Sequence, residues 1–267
     1  MASTAPKKTL EGQRILVTGA SSGLGLAMAT ALAEAGATVV LAARGLEQLA
    51  RATTTLKKQG GDVHPRILDV RDESAITATM EWVHKQLGGL DMLVNNAGIG
   101  MRTVNPAFLT TPKPFHRVST EAFTDMFATN VTGYFLMAKA VVPLFLAQGR
   151  GKIVNIAISH ETMQRQGFIP YGPSRAATES MSAIMAEDLR DDHIDVNLLL
   201  PGGATATGMI PDDQRGAIPL LSPAIMAEPI VFLASAAADG ITGERLIARD
   251  FPAWLEQRGL HNPDPGH

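Results

Sequence analysis

Short apolar runs at positions 14–18, 38–42, 64–68, 92–95, 152–157, 195–200 and 246–248 alternate with longer segments whose apolar residues recur at helical spacing, among them 23–35, 46–59 and 74–87. The runs are rich in Val, Ile and Leu and lack polar alternation, which is how strands covered on both faces read. Strand–helix repetition of this kind predicts an α/β chain: a doubly wound parallel sheet of about seven strands with helices on both faces. Right-handed crossovers then leave a ligand crevice at the carboxyl ends of the strands. With 267 residues, 45% of them hydrophobic and 18% charged, the chain can bury a large core. No linker-like stretch or internal repeat divides it. Residues 1–267 are therefore expected to form one domain, with 1–9 and 259–267 as loosely ordered tails.

The first run leads into Thr18-Gly19-Ala20-Ser21-Ser22-Gly23-Leu24-Gly25, and an alanine-rich helical segment follows at once. Glycines here let the backbone turn sharply and approach a pyrophosphate, while the helix N-terminus offers free N–H groups and a positive dipole end. The spacing is not G-x-G-x-x-G; what gives the cluster meaning is its place between a buried strand and a helix. The chain thus reads as a Rossmann-type dinucleotide-binding protein. About 20 residues on, an NAD site presents Asp or Glu to the ribose. Here the second run ends in Ala42-Ala43-Arg44. A carboxylate would repel a 2′-phosphate, whereas a guanidinium fork can hold one through two hydrogen bonds. Arg44 therefore favours NADP(H), with NAD(H) left open; the bland alternative is a solvated residue that starts the next helix.

Over nearly its whole length the chain resembles the short-chain dehydrogenase/reductase family, through landmarks in the family's order. Thr18 to Gly25 matches the TGxxxGxG turn, and Leu68-Asp69-Val70 matches the adenine-contacting segment. Asn95-Asn96-Ala97-Gly98 matches NNAG, and Asn130 sits at the helix-borne asparagine. Tyr171-Gly172-Pro173-Ser174-Arg175 is in register with YxxxK, Pro201-Gly202 with the nicotinamide-side PG turn, and Ile241-Thr242-Gly243 with the C-terminal signature. The resemblance implies an oxidoreductase that interconverts a secondary alcohol and a ketone. It implies Tyr171 as acid/base, Asn130 as anchor of a water relay, and a serine that steadies the substrate oxygen. Cofactor contacts would come from Gly19, Ser21, Ser22, Gly23, Leu24, Gly25, Arg44, Asp69, Val70, Asn96, Ala97, Gly98, Pro201, Gly202 and Thr207, with Thr205 an alternative to Thr207. It also implies a homodimer or homotetramer.

Two departures bear on the chemistry. A tyrosine ionises near pH 10, so as a base it needs a cation beside it, and a residue four positions on shares its helix face. That cation here is Arg175, which keeps the charge but cannot give up a proton as an ammonium can. The usual serine position falls on Ile158, with Ser159 one place later. Ser159 is the preferred candidate, because an apolar Ile158 would otherwise fill a polar site; His160 is a bystander or a substitute. These departures motivate the rival reading, a dinucleotide-binding protein with weak or no dehydrogenase activity.

Other features bound the partners. A net charge of −3 gives no electrostatic reason to expect nucleic acid or an anionic membrane. The chain has no cysteine, which excludes disulfides and thiolate chemistry, and its histidines lack metal-ligand spacing, so no metal is expected. Residues 1–9 lack the apolar run of a secretory signal and no later stretch is expected to reach the length of a membrane span, so the expectation is a cytoplasmic protein acting on a small carbonyl or alcohol. Segments 99–118 and 204–221, rich in Pro, Thr and Gly, form the rims. Arg102, Lys113, His116 and Arg117 make the first a basic lip or simply a solvated loop. Helical segments 121–146 and 174–191 carry apolar stripes, including Phe123, Phe127, Phe135, Met181 and Ile184, which are candidates for subunit packing.

Overall fold

The computed structural model describes residues 8–216 and 218–262. Its strands are β1 (Arg14–Thr18), β2 (Thr38–Ala43), β3 (Val63–Ile67), β4 (Met92–Asn95), β5 (Gly151–Ile156), β6 (Ile194–Leu200) and β7 (Arg245–Ile247). Each lies within one residue of the run read from the sequence. All pair in parallel, in the order β3-β2-β1-β4-β5-β6-β7. The Rossmann-type doubly wound sheet is as expected.

Successive residues of one strand feed two different cores, which is why the runs show no polar alternation. Ile15 and Val17 of β1, with Val39 and Leu41 of β2, pack under α1 (Gly23–Glu34), α2 (Leu46–Lys58), α8 (Ala227–Ala234) and α9 (Phe251–Arg258). Leu16, Val40, Leu93 and Ile153 point the other way. They meet α3 (Glu73–Leu87), α5 (Gly133–Gln148) and α7 (Tyr171–Asp188). Because the order of strands reverses its sense between β1 and β4, the chain leaves these two strands toward opposite faces and opens a crevice at their ends.

Two helices differ from expectation in ways that matter. α7 begins at Tyr171, three residues before the predicted start, since Pro173 lies in the first turn, where a missing N–H has no intrahelical acceptor to lose. Segment 121–146 becomes a continuous helical run over Thr120–Gln148: α4 (Thr120–Phe127), a π-helical turn (Ala128–Thr132) and α5. At 29 residues that run is long and apolar enough to cross a bilayer by length and composition, which corrects the expectation that no stretch would be. Its inner face carries Met126, Asn130, Tyr134, Met137, Val141 and Phe145 into the protein, while Phe123 and Phe135 stay exposed, as does Ile184 on α7.

Of the tails set apart at 1–9 and 259–267, residues 1–7 and 263–267 lie outside the described residues. Lys8 lies against Gly36, and the Leu10 N–H beyond it donates to the Ala35 carbonyl. Gly259 caps α9 in the left-handed region and Leu260 packs against the core.

Candidate active site

The crevice is a cleft of about 970 Å³ at the carboxyl ends of the strands. One end is built by the glycine turn after β1. Gly19 takes a φ of +66°, and a Cβ on Gly25 would run into the Gly19 carbonyl, so the turn folds tightly onto the helix that follows it. Among the described residues no side chain caps the N-terminus of α1, whose N–H groups stay available to an anion. Gly19, Ser21, Ser22, Gly23 and Leu24 line the cleft; Gly25 lies behind them.

Asn96 lines the cleft as well, but its amide is engaged elsewhere. Nδ2 donates to the carbonyls of Thr18 (2.9 Å) and Gly19 (3.3 Å). The Thr18 hydroxyl returns the tie, donating to the Val94 carbonyl (3.2 Å) and accepting the N–H groups of Asn96 and Ala97 (3.0 Å each). Asn96 thus clamps the glycine turn onto the end of β4, and its candidacy as a cofactor contact reduces to its place on the wall.

At the far side of the turn Arg44 is half exposed, 3.8 Å from Asp69. The Asp69 carboxylate is held chiefly by Arg71. Hydrogen bonds from Arg71 lower its pKa against the opposing effect of burial, and Arg44 adds only charge. Arg44, Asp69 and Val70 all line the cleft, with no carboxylate at the end of β2 itself.

The other end holds the chemistry-bearing residues. Tyr171, in the first turn of α7, and Arg175, one turn on, both face the cleft. Arg175 is buried to 2% exposure, with its guanidinium carbon 5.3 Å from the Tyr171 ring centre and 5.5 Å from that of Tyr134. Nη1 donates to the Tyr134 hydroxyl (3.0 Å) and the Ile156 carbonyl (3.1 Å), while Nε is buried with no partner among the described residues. Burial opposes the Arg175 charge, yet the phenol oxygens of Tyr134 and Tyr171 hold its pKa above the usual arginine value. Gly98 leaves room for the guanidinium: a Cβ there would stand 2.6 Å from Nη2 of Arg175, which would have to shift.

Asn130 lies behind the wall, fully buried on the π-helical turn, a backbone irregularity that turns its side chain inward from an otherwise regular helix. Its amide pairs with Ile99 through two bonds of 2.9 Å, and Nδ2 also approaches the Ser174 hydroxyl (3.3 Å). A second buried chain positions α7. Asn95 donates to Asn155 (3.0 Å) and Asn155 to the Ser182 hydroxyl (2.8 Å).

Ser159 and Ile158 both line the cleft. The Ser159 hydroxyl caps the short helix α6 (His160–Met163), accepting the Thr162 N–H and lying 2.8 Å from the Thr162 hydroxyl. The cleft therefore presents a Ser159–Thr162 hydroxyl pair, of which the second member had no signal in the sequence. His160 is exposed and paired with Glu179 at 2.9 Å, outside the cleft. Thr205 is buried in a bridge with Leu221, whereas Thr207 faces Gly23. Pro201 and Gly202 lie on the same wall.

The rim loops meet over the substrate end. Gln214, nearly fully buried, donates to the Pro106 carbonyl (2.5 Å) and accepts the Leu109 N–H (3.2 Å), so one side chain staples segment 99–118 to segment 204–221. Met101, Phe108, Leu109, Phe168 and Ile210 make an apolar wall there, and Tyr171 packs on the same cluster. Of the four basic residues proposed for a lip, Arg102 alone lines the cleft; Arg165, set over the Phe168 ring at 5.2 Å, joins it unforeseen.

Comparison with known proteins agrees with this construction. The short chain dehydrogenase family profile matches residues 13–216. The chain is 34% identical over 194 residues to gluconate 5-dehydrogenase of Gluconobacter oxydans, covering 73% of this chain and 72% of that one. It is also 34% identical over 246 residues to the 3-oxoacyl-(acyl-carrier-protein) reductase FabG of Vibrio harveyi, covering 89% and 96%. A crystal structure of a gluconate 5-dehydrogenase from Burkholderia cenocepacia, in complex with NADP and tartrate, superposes with a TM-score of 0.78 at 27% identity, over 90% of this chain and 95% of that one.

Proposed function

Since the chain belongs to the short-chain dehydrogenase family and is an NAD(P)-dependent oxidoreductase, we propose that it interconverts a secondary alcohol and a ketone with NADP(H), using Tyr171 as the acid/base. The observation that carries this reading is the stacking of a buried, charged Arg175 against Tyr171 in the same cleft as an uncapped helix N-terminus. The residues fit a dinucleotide. Among the described residues no side chain makes a cap hydrogen bond to the α1 N–H groups, and Arg44 is half exposed and only loosely paired. Once bound, the nicotinamide supplies or accepts the hydride.

In the reducing direction the Tyr171 hydroxyl gives its proton to the carbonyl oxygen as that oxygen becomes an alkoxide; in the oxidising direction the phenolate takes it back. The Arg175 guanidinium, 5.3 Å from the Tyr171 ring centre, is the cation set beside the reacting phenol. The Ser159–Thr162 pair offers a hydroxyl to the same oxygen, and Asn130 holds the backbone at Ile99 that floors the site. Arg44 supports NADP(H) over NAD(H) because a 2′-phosphate would meet a guanidinium and no carboxylate at the end of β2. The apolar wall around Phe168 supports a ketone with a hydrophobic body over a polyol. The exposed faces of α4, α5 and α7 support assembly into a homodimer or homotetramer.

A second reading, cofactor binding without turnover, is favoured by one observation: Arg175 sits where proton transfer through an ammonium would otherwise be available. One experiment separates the two. The protein is titrated with NADPH and NADH by fluorescence, then given a cyclic ketone and 5-keto-D-gluconate. Cofactor oxidation that disappears in Tyr171→Phe supports the enzyme; binding with no turnover of any ketone supports the second reading.

A further inference from the structure

An arginine beside a reacting tyrosine poses a seating problem that an ammonium does not. An ammonium is compact and turns its donors to whatever oxygens are near, whereas a guanidinium is a rigid plane with five donors in set directions. Buried at 2% exposure, such a plane must find an acceptor for its inward edge or lose the full desolvation cost of that edge. Its orientation also decides how its charge lies against the phenol.

The inward edge of Arg175 is satisfied by two oxygens. One is the Ile156 carbonyl at the end of β5, present whatever the sequence. The other is the hydroxyl of Tyr134, which reaches in from α5 and is itself 1% exposed. Tyr134 is held by its own helix, and its backbone carbonyl accepts from Asn95 (3.3 Å). Burial raises the Tyr134 pKa against the lowering effect of Arg175, so the group is a neutral phenol in the working range. It does not itself line the cleft; it stands behind Arg175, which does. The guanidinium lies between the Tyr134 and Tyr171 rings at nearly equal distances, and these two phenols are the groups that act on its charge. With Nη1 held on the inner side, Nη2 is directed at the space left by Gly98, and Nε has no hydrogen-bond partner among the described residues.

We infer that Tyr134 is a positioning residue for catalysis: its hydroxyl seats the Arg175 guanidinium against Tyr171 and turns the Nε/Nη2 edge toward the cleft. This rests on the reading of Tyr171 as the acid/base. The seat and the arginine form one device, so a lysine at 175 would have no use for the phenol.

The test is a double-mutant cycle on the full chain with Tyr134→Phe and Arg175→Lys, assayed for kcat, KM, the pH profile of kcat and NADPH affinity by fluorescence. Tyr134→Phe is expected to lower kcat about 10- to 100-fold, the effect of losing one hydrogen bond to a charged group. It should move the pH profile toward alkaline values, with NADPH affinity and KM changed by less than about 3-fold. In the Arg175→Lys background the same change should alter kcat by no more than about 2-fold, because the guanidinium it serves is gone. Wild-type kcat and pH profile in Tyr134→Phe, or effects that multiply in the double variant, would overturn the inference. Should Tyr134→Phe not fold, the double variant decides: recovery of folding supports the seat, and failure of both overturns it. Turnover retained in Tyr171→Phe would mark a failure of the acid/base reading. Turnover abolished there but untouched in Tyr134→Phe marks a failure of the seat alone.

Discussion

The carboxamide of Asn130 and the backbone of Ile99 exchange two hydrogen bonds of 2.9 Å, Nδ2 donating to the carbonyl and Oδ1 accepting the N–H. The pair welds the π-helical turn to the segment that leaves β4, just beyond Gly98 and beside Arg175. An amide can make both bonds at once; a carboxylate or a methyl group cannot. Asn130→Ala leaves two part-buried backbone groups without their partner and should cost about 1–3 kcal/mol of stability. Thermal or urea unfolding measures it, and wild-type stability would deny the weld. Turnover should fall with it, since Ile99 lines the same cleft.

Gly98→Ala tests how closely the guanidinium is fitted. The new Cβ would stand 2.6 Å from Arg175 Nη2 and 3.1 Å from Asn130 Oδ1, so the arginine must move. A displacement of that order at a group that tunes the reacting tyrosine should lower kcat on the order of 100-fold. A kcat within about 3-fold of wild type would mean that Arg175 has room to spare.

Arg44→Ala should weaken NADPH about 10- to 100-fold, the value of charge-assisted hydrogen bonds to a phosphate, while NADH changes by less than about 3-fold. Fluorescence titration of both cofactors decides it. Equal losses would remove the 2′-phosphate argument. The loose 3.8 Å contact to Asp69 makes the substitution cheap for the fold, because Asp69 keeps Arg71.

Asp91 gives a pH dependence that owes nothing to catalysis. Burial pushes its pKa up, but Arg14 outweighs this through its side chain (2.8 and 3.1 Å) and backbone N–H (2.9 Å), with Arg150 adding charge, and the net shift is downward. A carboxyl with a lower pKa in the folded state stabilises the fold above its unfolded value near 4, and that stability is lost as pH falls through the folded value. Asp91→Asn should therefore cost about 2 kcal/mol near neutrality, between exposed and buried ion pairs, and the gap from wild type should close on acidification. Unfolding at a series of pH values measures the gap; a constant gap would contradict the assignment.

How far the sequence reaches is visible residue by residue. The strands were legible to within one residue because each is buried on both faces, and a continuous apolar run is the direct trace of that burial. The glycine turn was legible because its backbone path tolerates little else, and Tyr171 and Arg175 because the stretch from 171 to 175 resembles the family's YxxxK motif. Tyr134, Thr162, Arg165 and Gln214 left no such trace. Each owes its part to a neighbour far away in the chain: Tyr134 to Arg175 across two helices, Gln214 to Pro106 and Leu109 across two loops. The start of α7 was misplaced for a local reason, a proline that the first helical turn accommodates.

By itself, then, the chain's periodicity and glycines determined a doubly wound sheet with a dinucleotide cradle after its first strand, because burial on two faces and a tight turn are properties of adjacent residues. Only the tertiary structure decided that Asn96 braces the cradle, that Ser159 shares its hydroxyl with Thr162, and that a buried phenol holds the arginine in place. Those are contacts between elements distant in sequence, and their geometry exists only once the two cores have packed.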